Sequence, residues 1–186
     1  MIFNDVAEVF DSVEQSRLRL YERVEGLSEE QAMFRPADGV WSVAEITEHL
    51  SLFESLLLKL ITSLVEKGEA AATPIDAGQT VAPISIEQLA GQVSGKAKAP
   101  DNLLPTGAPL EKSIESLRQT REALLALKLR LQSRDFTPVT YTNEKIGALN
   151  PYQLLAFIGY HEDRHVAQVS DLISNESFPA RQAASA

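Results

Sequence analysis

Apolar residues recur at three- and four-residue steps in four long stretches of this chain, and that rhythm restricts the fold more than any other feature. From Phe3 to about Val24 the ladder is Val6, Phe10, Val13, Leu20 and Val24. From Val43 to about Lys67 it is Ile46, Leu50, Phe53, Leu57, Leu60, Ile61 and Leu64, and Gly68 ends it. A third, Leu110 to Ser133, runs through Ile114, Leu117, Leu124, Leu127 and Leu131. The fourth, Pro151 to about Ile173, carries Leu154, Ile158, Val169 and Leu172. Each stripe has to be covered, and 186 residues make about one domain, so the helices cover one another. The expected fold is all-α, a four-helix bundle over residues 1–175 with a flexible tail at 176–186.

Two of the helix starts are well marked. Ser42 and Glu45 form a capping box, and Trp41 before the cap staples onto Ile46. Asn150 followed by Pro151 gives a cap and a first-turn proline. Ser28 and Gln31 mark a single capped turn in the first connector, and the stretch after Ser133 reads as a short extended excursion. Residues 69–109 are rich in Ala, Gly and Pro and hold one short helical candidate, Ile86 to Val93. A crossover this long is either functional or simply wrapped on the surface.

Composition excludes several functions. With 26 acidic and 17 basic residues the net charge is −9 and no basic run occurs, so nucleic acid is not an expected partner. The N-terminus has acids where a secretory signal has basic residues, and no apolar run reaches the roughly 18 residues a membrane span requires, so a cytoplasmic protein without membrane association is expected. The absence of cysteine removes thiolate ligands and cysteine nucleophiles, leaving imidazole and oxygen to hold any metal.

The chain has three histidines. His161 and His165 lie four apart in "HEDRH", so they project from one helical face, roughly 6 Å apart at Cβ. That face is the ladder of Leu154, Ile158, Val169 and Leu172, and His49 falls in the ladder Ile46, Phe53, Leu57 of the second helix. An isolated pair at this spacing is more often two unrelated histidines than a metal site. Here all three face inward, where unliganded ring nitrogens would each need a partner. They make a facial triad that leaves positions open for water or substrate. The H-E-x-x-H spelling does not make a peptidase, because neither Asp171 nor Glu176 is well placed as a downstream ligand and "VAQVSD" lacks the glycine and third histidine of the longer pattern. Glu162 reads either as an exposed helical acid or as a catalytic group close enough to the metal to move a proton.

"WSVAEITEHL" after "LSEEQAMFRPADGV", together with "HEDRHVAQV", resembles the second- and fourth-helix signatures of the DinB-like superfamily, and "APDNLLPTG" extends the likeness. The resemblance implies an up-down-down-up bundle in which His49, His161 and His165 bind a divalent metal, zinc or nickel most commonly. It also implies frequent homodimers and, among the relatives with known reactions, transfer or isomerisation with a low-molecular-weight thiol on a small-molecule substrate. An ion on three neutral imidazoles lowers the pKa of bound water or thiol, and in a chain without cysteine the thiol must come as a cosubstrate. Hydrolysis by activated water stays open, as does a non-catalytic bundle serving a protein partner. Gln168 either orients a ligand or is an ordinary helix residue. Glu45 either accepts the second ring proton of His49 or only caps its helix. Phe53, Phe157 and Tyr160 are candidate pocket walls.

Overall fold

The computed structural model describes residues 1–76, 79–81, 83–93, 99–143 and 147–180. In chain order the elements are β1 (Ile2–Phe3), α1 (Val6–Val24), α2 (Glu29–Met33), α3 (Val43–Gly68), β2 (Thr73–Pro74), β3 (Ile84–Ser85) and α4 (Glu87–Val93). A 3-10 turn at Asp101–Leu103 precedes α5 (Leu110–Ala126), α6 (Lys128–Ser133), β4 (Arg134–Asp135), β5 (Tyr141–Asn143), β6 (Gly147–Leu149) and α7 (Pro151–Ile173). The strands form three antiparallel pairs, β1 with β3, β2 with β4 and β5 with β6.

Local chemistry sets the helix starts. Ser42 Oγ accepts from the Glu45 amide while Glu45 Oε2 accepts from the Ser42 amide, and the same reciprocal pair joins Asn150 and Gln153 at α7. α2 is the capped turn expected at Ser28. Two expectations are corrected. The first helix begins at Val6, not Phe3, because Asp5 Oδ1 accepts from the Glu8 amide and β1 is taken up by β3. The third stretch is divided at Leu127, whose amide closes onto the Leu124 carbonyl at 3.0 Å and so tightens one turn.

α1, α3, α5 and α7 pack on one another around two apolar clusters. One includes Val13, Leu57, Leu124 and Ile158; the other includes Leu20, Leu50, Leu117 and Val166. On each helix a buried polar residue sits between the two sets: Arg17 on α1, Glu54 on α3, Arg121 on α5 and Glu162 on α7. These four side chains form an ionic layer across the bundle. Arg17 donates to Glu162 Oε1 and Glu54 Oε2, and Arg121 reaches the same two carboxylates at 3.3 Å. Burial works against the Arg17 charge, but Glu162 and Glu54 outweigh it and raise its pKa.

Contacts place the helices that carry the histidines. Along α1 and α7 they advance together: Val13 against Gly159, Arg17 with Glu162, Arg19 with Asp163. Gly159 lets the two backbones approach closely, since a Cβ there would lie 3.3 Å from Val13 Cα. Along α3 and α7 the contacts run oppositely, with His49 near His165 and Phe53 near Phe157.

The crossover is more than a surface wrap. Val81, Ile84, Ile86 and Leu89 are buried against the bundle, and Leu103 reaches the histidines. Of the expected tail, Phe178 meets Phe34 edge to face and Gln31 donates to the Pro179 carbonyl; residues 181–186 lie outside the described residues. Among the described residues no helix is long and apolar enough to cross a membrane.

Candidate metal centre

α3 contributes His49, and α7 contributes His161 and His165 one turn apart. All three are buried, and one ring nitrogen from each lies within 4.8 Å of the others. Metal bonds of about 2.0–2.1 Å hold ligand atoms no more than about 4 Å apart, so small ring rotations bring the set into range.

Hydrogen bonds orient the rings. His49 Nδ1 meets the Leu103 carbonyl at 2.8 Å, and His165 Nδ1 meets Gln168 Oε1 at 2.7 Å. Both oxygens accept, which assigns the proton to Nδ1 and leaves each Nε2 with a free lone pair. His49 Nε2 lies 3.1 Å from His161 Nε2, and only a shared proton or a cation makes that approach favourable. Aromatic rings fix the positions further: Trp41 lies 5.1 Å from His49 and Phe53 lies 3.9 Å from His161, centroid to centroid.

Burial keeps the imidazoles neutral. It lowers His165 to about 4, with the His49 and Arg164 charges adding and the Gln168 bond opposing. It lowers His49 against the Leu103 bond, and it lowers His161 strongly, aided by the other two histidines and Arg164. Neutral, inward imidazoles, two of them with the far nitrogen tied to oxygen, suit a divalent transition metal. The donor set therefore fits such an ion.

The structure brings some of the expected residues to the three histidines and places others elsewhere. Gln168 is the partner of His165, and Phe53 and Phe157 line a cavity of about 490 Å³ that opens on all three histidines. Glu45 is not the partner of His49; it caps α3 and pairs with Arg35. Tyr160 is not among the residues lining that cavity; its hydroxyl points to the Ala90 carbonyl, and its ring stacks behind Phe157. Glu162 is not exposed. At 1 % exposure it belongs to the ionic layer, where burial pushes its carboxyl upward against the pull of Arg17 and Arg121.

Three contributions escaped the sequence reading. The Leu103 carbonyl comes from the crossover, and no pattern announces a backbone acceptor. Glu48, next to His49, holds that segment in place. Its carboxylate accepts from the Thr106 hydroxyl and from the Thr106, Gly107 and Ala108 amides, and these bonds lower its pKa although burial opposes them. Gly107, at φ +93°, supplies the left-handed turn that presents successive amides. Arg164, between the two histidines of α7, lines the cavity with Trp41 and Leu104.

A sequence profile of the DinB superfamily matches residues 12–169. The uncharacterized protein YuaE of Bacillus subtilis is 26 % identical over 166 residues, covering 85 % of this chain and 93 % of its own. A protein of Oceanobacillus iheyensis named "Putative metal-dependent hydrolase" is 25 % identical over 173 residues, covering 93 % of this chain and 88 % of its own.

Proposed function

The chain belongs to the DinB superfamily, and from that membership we propose that it is a divalent-metal-dependent enzyme acting on a small molecule. The observation that carries the reading is the convergence of three buried, neutral imidazoles on the wall of a ligand-sized cavity. His49, His161 and His165 are the ligands, and zinc or nickel suits an all-imidazole set. When bound, the ion supplies Lewis acidity that turns a weakly acidic water or thiol into a nucleophile at neutral pH.

The chain's own residues do the rest. The Leu103 carbonyl and Gln168 hold ring protons at Nδ1, so the Nε2 atoms of His49 and His165 stay available. Trp41, Phe53, Phe157 and Leu104 line the cavity and give it an apolar wall on which a substrate can be held. With no cysteine in the chain, a thiol nucleophile arrives as a low-molecular-weight cosubstrate, and transfer of that thiol is the reaction we favour. Hydrolysis is the second reading, favoured by the name of the Oceanobacillus relative. We assign Glu162 to the ionic layer and give it no part in proton transfer, because arginines occupy both its oxygens.

The test uses cobalt-loaded protein and a panel of thiols and electrophiles. Thiol addition should give a saturable sulfur-to-metal charge-transfer band that grows with thiol deprotonation, and the same thiols should turn over with an electrophile. Spectral silence toward both thiols and azide in fully loaded protein would mean a closed shell and a structural metal.

A further inference from the structure

Two neighbours on α3 are bonded to the same stretch of the crossover. His49 Nδ1 donates to the Leu103 carbonyl, and Glu48 accepts from residues 106–108. Successive side chains on a helix point about 100° apart, so the two hold the segment at separate points. Glu48 Oε1 accepts from the Thr106 amide at 2.9 Å and the Thr106 hydroxyl at 2.6 Å, and Oε2 accepts from the Gly107 and Ala108 amides at 2.9 Å each. Glu48 is 4 % exposed, and among the described residues no lysine or arginine pairs with it. A buried carboxylate is costly unless its oxygens are satisfied, and here one segment supplies all four donors. The segment also builds the site. Ala99, Pro100, Leu103 and Leu104 line the cavity beside the histidines, and the Leu103 amide closes onto the Pro100 carbonyl at 2.9 Å. Ordering a loop costs backbone entropy, and the His49 bond to Leu103 is a single bond set against that cost.

We propose that Glu48 is a positioning residue of the metal centre: by binding residues 106–108 it keeps the Leu103 carbonyl on His49 Nδ1, and so fixes the tautomer and orientation in which His49 Nε2 meets the other two histidines. The proposal rests on the reading of the three histidines as metal ligands. Glu48 touches neither the imidazole nor an ion; it acts through the backbone between Leu103 and Ala108. Groups that orient a ligating imidazole are worth about 10–100-fold in metal affinity. A Gln at position 48 keeps the shape of the side chain but turns one acceptor oxygen into an NH2 donor, which has nothing to bond among those amides. Its remaining oxygen cannot hold all of residues 106–108, and the Leu103 carbonyl is then free to leave the ring.

The test compares wild type, Glu48→Gln, Thr106→Val and Ser42→Ala, with each fold checked by its thermal melt. Thr106→Val removes only the hydroxyl bond, and Ser42→Ala weakens the start of the same helix without touching the crossover. NMR of isotope-labelled histidine in metal-free protein at neutral pH reads the tautomer of each ring, the His49 signals being those that vanish in His49→Gln. Zinc affinity is read separately by competition with a chromophoric chelator. Wild type and Ser42→Ala should both carry the His49 proton on Nδ1. Glu48→Gln should give a mixture of tautomers and bind zinc about tenfold or more weakly, and Thr106→Val should move both readouts the same way by less. A wild-type His49 protonated on Nε2, a Glu48→Gln tautomer like that of wild type, a Glu48→Gln zinc affinity within about twofold of wild type, or a Ser42→Ala shift as large as that of Glu48→Gln would overturn the proposal. If Glu48→Gln does not fold, wild-type values of both readouts in Thr106→Val would overturn it. Wild type that binds no zinc would remove the metal reading, and the tautomer, read without metal, would still decide whether Glu48 positions the ring.

Discussion

Replacing Glu162 with Gln tests whether this acid is a structural charge or a catalytic one. Its side chain is 2 % exposed, with Arg17 Nε at 2.5 Å and an Arg121 nitrogen at 3.3 Å. The buried layer holds two guanidiniums and two carboxylates, and the half-exposed Glu14 also pairs with Arg121, so the substitution leaves two buried guanidiniums facing one buried carboxylate. Unit charges roughly 4 Å apart at an effective dielectric of about 20 interact by about 4 kcal/mol. Breaking a buried pair by removing one partner costs about 3–5 kcal/mol. In a domain of this size each kcal/mol lowers the melting temperature by about 2–4 °C, so Glu162→Gln should melt roughly 6–20 °C lower. Urea and thermal unfolding of metal-free protein give the value. Adding Arg121→Gln restores the balance of charge, and the double variant should be more stable than the sum of the single effects by at least about 1 kcal/mol. Burial pushes the Glu162 pKa up, so the folded chain holds that proton more tightly than the unfolded one, and the gap between wild type and Glu162→Gln should widen as pH falls. Zinc content of the folded variant should equal that of wild type. A cost below about 1 kcal/mol, or loss of zinc with the fold intact, would refute the structural assignment.

Two further outcomes follow from the geometry. Ser42→Ala opens the capping box of α3 and should cost roughly 0.5–2 kcal/mol; a urea midpoint identical to wild type would show that the Ser42 bond to the Glu45 amide contributes nothing. In metal-free protein the His165 pKa is depressed from 6.5 to about 4, so its contribution is complete above pH 6.5. Between 6.5 and about 4 the unfolded chain takes up the proton first, and stability falls by on the order of 3 kcal/mol before levelling off. His165→Gln should flatten the curve over that window, and parallel curves would contradict the assignment.

The helices were legible because their signals are local. Ser42 with Glu45 and Asn150 with Pro151 fix two starts within a few residues, and period-3.6 ladders fix the inward faces that carry the histidines. What was not legible depends on pairings between distant residues. Arg17, Glu54, Arg121 and Glu162 each occupy a ladder position between apolar residues, and that interruption on all four helices was the available signal. Read on its own helix, Glu162 looked like an exposed charge. Of the two readings left open for Glu45, the cap is the one the structure shows, and only the folded crossover shows that the Leu103 carbonyl takes His49 Nδ1. Tyr160 shares a helix with Phe157, but its hydroxyl is drawn to the Ala90 carbonyl in α4.

The central claim is that His49, His161 and His165 hold one divalent ion together. Its most direct test is zinc content by elemental analysis after parallel loading and desalting of wild type, His161→Ala and Glu162→Gln. One zinc per chain in wild type and in folded Glu162→Gln, with little retained by His161→Ala, is the expected result. Equal zinc in wild type and His161→Ala, with both folded, would contradict the triad.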